Sequence, residues 1–274
     1  GFQEMMLIIA YPFMIRMKKT VRSNIQLFFQ DALPEEEINL LTKECIKNTG
    51  RGMVDMIYYA GHPDVFTQNV IVDGLTYLKE SFSQKKGVIG VTGHIGNFPL
   101  MFMTLVRSGY HVNVVIRPMR DQKFGDYMDR LSEKWGIKLI KTLPRKDFFK
   151  QSLQVLKNNE FLFILLDEPT DGEGAVPIEF FQREAHMASG PVLFQNRTGS
   201  PIVPVYMVKL SDGRQQIQIH APILAGTNKA CPPRKTIAAL LKITESVVKS
   251  YPEQWGGWMN KKWSSTRCLN KERS

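Results

Sequence analysis

The chain has 274 residues, 43% of them hydrophobic, and a formal charge of +10. This composition excludes a disordered chain, and the length suits one large α/β domain or two small ones with a full core. The positive charge points to anionic partners: nucleic acid, acidic lipid headgroups or an acidic carrier protein. Cys45, Cys231 and Cys268 are too widely spaced for a zinc pattern or a disulfide framework, which fits a reducing cytoplasm.

In chain order, the first landmark is residues 5–15, MMLIIAYPFMI, free of charge and followed by Arg16, Lys18, Lys19 and Arg22. Apolar then basic is the order expected where a chain leaves a bilayer on its cytoplasmic side. Three readings stand: a buried helix, an interfacial helix, and the tail of an anchor that begins ahead of Gly1. No run reaches the roughly 18 apolar residues of a complete span. Residues 1–30 are therefore read as a membrane-proximal helix region and residues 31–274 as a single α/β domain.

Residues 34–60 read as helix, with Pro34 in its first turn and Glu35, Glu36 and Glu37 at its positive end. Leu75, Leu78 and Phe82 space a second helix from about Asp73, stopped by Lys85, Lys86 and Gly87. Strands and helices then alternate: strand 88–92, helix 97–108, strand 111–117, helix 121–135, strand 137–142, helix 147–158, strand 161–167. Short links between them predict a parallel or mostly parallel mixed sheet with helices on its faces. A polar, glycine-rich loop follows at 168–175, and a helix starts near Ser189, Gly190 and Pro191. Segments 202–210 and 216–220 pair antiparallel around Ser211, Asp212 and Gly213, and 235–250 is an amphipathic helix.

The stretch GVIGVTGHIGNFPL, 87–100, is the most informative. It reads as strand, tight turn, helix, with His94 in the turn, at the sheet edge where open α/β folds place their ligands. Gly93 and Gly96 let the backbone bend and a substrate approach. Histidine suits proton transfer near neutral pH, although a histidine that merely hydrogen-bonds a turn fits the spacing equally well. In a parallel sheet the same edge receives Arg117 and Arg120 of IRPMRD, and Asp167 and Glu168 of LLDEPTDG. Together these are the parts of an acid–base site for an anionic substrate. Their plain alternatives are a solvated helix start and a polar loop. His62, His111, His186 and His220 are scattered and compose no metal set. The P-loop, the serine-hydrolase elbow and the dinucleotide fingerprint are absent.

Near the C-terminus, Trp255, Trp258 and Trp263 alternate with Lys261 and Lys262. That composition suits a membrane interface, where indoles sit at headgroup level and lysines meet lipid phosphate. Base stacking would use the same residues, and one or two tryptophans could equally be core. Basic residues spread along the whole chain argue against nucleic acid.

These pieces, in this order, resemble the lysophospholipid acyltransferases of the bacterial lipid A biosynthesis type. The matching segments are TGHIGNFPL, VVIRPMRD, FILLDEPTDGEGAVPIEFF, EAHMASGPVLF and YPEQWGGWMNKKW. The resemblance implies a glycerolipid-acyltransferase-like fold and transfer of a fatty acyl chain from an acyl carrier protein or coenzyme A thioester to a lipid hydroxyl. It implies His94 as general base, Gly93, Gly96, Asn97, Arg117 and Arg120 at the substrate, no cofactor and no metal. It also implies anionic membrane lipid as a partner and the cytoplasmic face of the bacterial inner membrane as the location. The chain departs from the family pattern H-x4-[DE] at Pro99, and Gln182, Ala188 and Asn260 replace a glycine, a proline and a histidine. Two readings follow from Pro99. Asp167 or Glu168 serves His94 in place of the missing acid, Asp167 being favoured because it directly follows the apolar run 161–166, or the protein has lost catalysis and keeps only lipid or carrier binding.

Overall fold

A computed structural model of the protein describes residues 15–29, 32–61, 70–225 and 232–268. Residues 5–14 of the apolar N-terminal segment lie outside the described residues. In chain order the elements are α1 (Ile15–Phe29), α2 (Glu35–Gly61), β1 (Val70–Asp73), α3 (Leu75–Ser83), β2 (Val88–Thr92), α4 (Phe98–Arg107) and β3 (Val112–Ile116). Next come α5 (Gln122–Lys134), β4 (Ile137–Lys141), α6 (Arg145–Lys157), β5 (Phe161–Leu165), β6 (Val176–Phe180) and β7 (Arg183–Met187). The chain continues through α7 (Gly190–Thr198), β8 (Ile202–Lys209), β9 (Gln215–Ile219), α8 (Pro233–Ser250) and three short 3-10 turns to β10 (Arg267–Cys268). No helix among the described residues is long and apolar enough to cross a membrane.

The sheet is α/β and mostly parallel, as the alternation predicts. Seven strands run in the order β1-β9-β8-β2-β5-β3-β4, parallel throughout except for the antiparallel pair β8–β9. Its two faces follow from the side-chain alternation of the strands. Val88, Phe161, Phe163, Val203 and Val205 point to one face and pack with Leu100, Phe102 and Leu131 from α4 and α5. Ile89, Val91, Leu162 and Tyr206 point to the other and pack with Leu156, Phe194 and Leu240 from α6, α7 and α8. Val21, Ile25 and Phe28 of α1 belong to this second core as well. Gly90 on β2 is a packing necessity, because a Cβ there would lie 2.4 Å from the Phe163 ring on the neighbouring strand.

The topology creates the site. The chain leaves β2 through α4 to β3, beyond β5, and leaves β5 through α7 to β8, on the other side of β2. Neighbouring strands whose connections depart in opposite directions open a crevice at their carboxyl ends. His94 and Asp167 follow those two strands.

Two parts of the fold were not anticipated from the sequence. β1 is a four-residue strand at the far edge of the sheet, too short to show a period. β6 and β7 form a hairpin that joins β10 in a separate antiparallel sheet of order β10-β7-β6. Its two-residue turn is Phe181-Gln182, both at positive φ, 50° and 60°. Such a turn usually carries Asn-Gly, so it left no recognisable signal. Phe181 is held there by stacking on Trp255, with ring centroids 5.9 Å apart, and by its backbone N–H donating to Glu245 at 3.2 Å.

The interfacial reading of the tryptophans is corrected here. Trp255, Trp258 and Trp263 are 0% exposed. Their rings enclose Phe28 of α1, with centroids 5.9, 5.3 and 5.0 Å away, and Trp263 stacks on Phe180 of β6. Each indole N–H is used internally: Trp255 donates to Asp167, Trp258 to the Pro252 carbonyl and Trp263 to the Gly257 carbonyl. Satisfied and sealed from solvent, these rings are core.

Candidate active site

β2 ends at Thr92, and the next two residues bring His94 against the end of β5. The His94 backbone N–H donates to Asp167 Oδ2 at 2.7 Å, and His94 Nδ1 lies 2.9 Å from Asp167 Oδ1. One carboxylate thus grips the histidine by backbone and ring together. The residue between, Gly93, leaves no room for a side chain, since its Cβ position lies 2.9 Å from the Asp167 carboxyl carbon. The third bond to Asp167 comes from the Trp255 indole N–H at 2.7 Å. Asp167 is 0% exposed, so these N–H groups replace water around a buried charge.

The C-terminal segment clamps the same turn. Gly256 N–H donates to the His94 carbonyl at 2.6 Å, and Gly96 N–H donates to the Gln254 carbonyl at 2.8 Å. The Gln254 side chain bonds the Lys209 backbone at both its N–H and its carbonyl. Gly96 sits at φ +56°, and a Cβ there would meet the Met207 carbonyl at 2.2 Å. A side chain is therefore excluded at this turn twice over, by strain and by space.

Burial disfavours charge on both members of the pair, and their mutual attraction overrides it. For His94, burial lowers the pKa, but the Asp167 charge and hydrogen bond, with Glu168 behind them, raise it from 6.5 to about 9. For Asp167, burial alone would raise the pKa, while His94 and the three donated hydrogen bonds hold it below the ordinary carboxylate range. Glu168 stands farther off, with Oε1 4.0 Å from His94 Nδ1, beyond a hydrogen bond. Its side chain is 37% exposed.

With Nδ1 taken by Asp167, Nε2 is the ring nitrogen left for a substrate. His94 lines a cavity of about 590 Å³, shared with Gly96, Asn97, Phe98, Pro99 and Glu168. The rest of its wall comes from α2, from the ends of β8 and β9 and from the C-terminal segment, with Asn48, Asp55, Lys209, Gln215, Tyr251 and Met259 among its residues. Asn97 Oδ1 accepts the Leu100 N–H at 3.2 Å and so caps α4, while its Nδ2 is buried without a partner among the described residues. Pro99 occupies the first turn of α4, where its missing N–H costs nothing.

The sequence-predicted residues divide. His94, Gly96, Asn97 and Glu168 share the cavity wall, and Gly93 and Asp167 lie directly beneath it. Arg117 and Arg120 are exposed and outside the cavity lining, and Arg117 donates to Thr170 Oγ1 at 3.2 Å. Lys262 pairs with Asp171 at 2.5 Å, and Lys261 is exposed. Sequence reasoning assigned Trp255 to a membrane and gave Gln254 no role. Both are supports of the histidine turn, and only their proximity across the fold reveals it. Among the described residues, no group of three or more His, Cys, Asp and Glu side chains is arranged to hold a metal ion.

An α/β fold with a carboxylate-held histidine at the β2–β5 crevice has the parts of an acid–base site. The bacterial lipid A biosynthesis acyltransferase family matches residues 4–265, nearly the whole chain, and the protein belongs to that family. No curated relative matches the chain.

Proposed function

We propose that the protein is an O-acyltransferase that moves a fatty acyl chain from an acyl carrier protein or coenzyme A thioester to a hydroxyl of a glycolipid such as a lipid A precursor. The observation that carries this reading is the bond between His94 Nδ1 and the buried Asp167, which leaves Nε2 as the ring nitrogen available in a histidine that lines the cavity. In the reaction, neutral His94 takes the proton of the acceptor hydroxyl at Nε2. The oxygen attacks the thioester carbonyl, and a new C–O bond forms. As the tetrahedral intermediate collapses, the C–S bond breaks and the departing sulfur takes the proton back from the imidazolium. The products are an ester and a free thiol. Asp167 orients the ring and stabilises the imidazolium without itself accepting the proton.

Asp167 does here what the family pattern assigns to the residue that is Pro99 in this chain. A non-catalytic lipid- or carrier-binding protein is the second reading, and Pro99 is its motivation. The test is a single-turnover assay with acyl-labelled carrier protein or acyl-CoA and total membrane lipid. Folded His94→Ala is expected to lose about 10²–10⁴-fold in rate. Asp167→Asn is expected to lose rate as well, and Pro99→Glu to retain transfer. Wild-type turnover in a folded His94→Ala protein removes the base from the mechanism, and no turnover in the wild type with either donor supports the binding reading.

A further inference from the structure

The middle of α1 carries a buried amide that the mechanism does not use. Val21, Asn24, Ile25 and Phe28 form the buried stripe of that helix. Three of them are apolar, and Asn24 lies among them at 1% exposure. A buried amide is costly unless its hydrogen bonds are made. Asn24 Nδ2 makes two, to the Trp258 carbonyl at 2.7 Å and to the Asn260 carbonyl at 3.0 Å. These partners are 234 and 236 positions away, at the 3-10 turns that follow α8.

α2 holds the same segment by its backbone. Asn48 Nδ2 donates to the Glu253 carbonyl at 3.0 Å, and the Cys45 thiol lies 3.4 Å from the Trp255 carbonyl oxygen. Carbonyls of the segment thus turn toward the two N-terminal helices. Two of its N–H groups turn the other way: the Trp255 indole donates to Asp167 and the Gly256 backbone to the His94 carbonyl. Phe28 sits edge-on to Trp255, Trp258 and Trp263 at once, and a ring wedged among three indoles fixes their spacing. Of the three N–H groups on Asp167, two belong to His94 itself. The indole is therefore the one donor that holds the carboxylate independently of the histidine.

We propose that Asn24 and Phe28 are positioning residues for the His94–Asp167 pair: α1 sets the register of residues 253–260, and that register presents the Trp255 indole to Asp167 and the Gly256 N–H to His94. Neither residue lines the His94 cavity, so both act through the segment they hold. An apolar side chain at position 24 would suit the stripe, but it would leave the Trp258 and Asn260 carbonyls without their amide. A satisfied buried polar contact specifies one arrangement where apolar packing alone tolerates several. The purpose of this arrangement rests on the acyltransferase reading. Its geometry does not.

The first readout needs no acyl transfer. In the full chain, the Trp255 indole N–H resonance, assigned by its loss in Trp255→Phe, is followed by NMR for its shift and its hydrogen exchange. Asn24→Leu is expected to move the resonance and to speed its exchange about tenfold, as the loss of a buried hydrogen-bonded anchor opens a segment locally. Phe28→Leu keeps an apolar side chain and the Asn24 bonds, so a smaller change in the same direction is expected. It keeps the proposal testable if Asn24→Leu does not fold. The control is Leu156→Ala, in the same core but beside Gly87, at the opposite end of β2 from His94. Compared at equal stability, the control is expected to leave the indole resonance and its exchange as in the wild type. The second readout is the single-turnover rate, expected to fall in step with the indole change in the two α1 variants and to hold in the control. An unmoved indole in both α1 variants, or an equal change in Leu156→Ala, overturns the proposal. A displaced indole with an unchanged transfer rate overturns it as well, because the segment would then not set the pair. No turnover in the wild type defeats the acyltransferase reading instead, and the indole readout still decides whether α1 places the segment.

Discussion

Two segments of this chain set aromatic side chains among cations and meet opposite fates. Residues 255–263 mix three Trp and a Met with two Lys, and residues 117–127 mix Met119, Phe124 and Tyr127 with two Arg, a Lys and two Asp. In the first, every tryptophan is 0% exposed, and one of them supports the histidine turn. In the second, Phe124 and Tyr127 are 51% and 43% exposed. The difference lies outside both segments. α1 and the β6–β7 hairpin bring Phe28, Phe180 and Phe181 to the tryptophans, whereas Phe124 and Tyr127 of α5 keep about half of their surface exposed. Interface composition is therefore a statement about side chains, and exposure is decided by what the rest of the chain places beside them.

The hardest test of this contrast is truncation in each segment. Trp255→Ala should destabilise the fold by about 3–5 kcal/mol, the range for deleting a large buried ring, and should also strip Asp167 of a donor. Phe124→Ser should stay within about 0.5 kcal/mol of wild type, as exposed substitutions do. Denaturant midpoints at constant slope measure both, and comparable losses in the two variants would break the contrast.

A finer probe is Trp255→Phe, which keeps much of the ring packing and removes only the N–H. Leaving the Asp167 oxygen short of one partner should cost about 1–3 kcal/mol. A loss no larger than an ordinary packing change would show that the indole bond is incidental.

The His94–Asp167 pair makes the site's pH behaviour testable. A general base acts only when neutral, so the raised His94 pKa should carry the acidic limb of the transfer rate up to about pH 9. Asp167→Asn removes the cause, and the limb should move down toward the ordinary imidazole value even as the rate falls. Stability follows the opposite sign for the histidine. Its contribution is complete below 6.5, the unperturbed value, and is lost as pH rises through about 9. The lowered Asp167 pKa contributes above 3.8 and loses that contribution as pH falls. An unmoved limb in Asp167→Asn would mean the carboxylate does not set the base.

The remaining effects are small. Lys261→Ser with Lys262→Ser should weaken anionic vesicle binding by less than about 1 kcal/mol per lysine at low salt, because Lys262 is already paired with Asp171. An equal or greater loss would return an interfacial role to the C-terminal lysines. Gln182→Gly should stabilise the hairpin by up to about 1 kcal/mol by relieving a left-handed residue. Thermal melting reads it, and a destabilised variant would show that the Gln182 side chain outweighs its backbone strain.

Much of the fold is written locally. The strand at Val88–Thr92 and the helices and strands that follow it to Leu165 stand where the apolar spacing puts them, within a few residues at the ends. Period, caps and glycine stops are short-range signals, and the short links between elements force the parallel sheet. The histidine at the end of β2 is legible for the same reason, since a strand–turn–helix signature places it at the carboxyl edge.

What the sequence could not determine lies in contacts between distant segments. His94 and Asp167 are 73 positions apart, and Asp167 and Trp255 are 88 apart. Sequence reasoning narrowed the partner of His94 to the pair Asp167 and Glu168. It favoured Asp167, which directly follows the apolar run 161–166, but the contact itself needed the sheet order, which sets β5 beside β2 and aims the Asp167 carboxylate under Gly93 while leaving Glu168 toward the cavity. The tryptophans read as interfacial because lysines stand beside them in the sequence, and a linear pattern carries no record of Phe28, more than 200 positions earlier, packing between their rings. Local periodicity determined the elements, because each depends on its own neighbours. Burial and partnership were decided only when the elements closed on one another, because both depend on the whole chain.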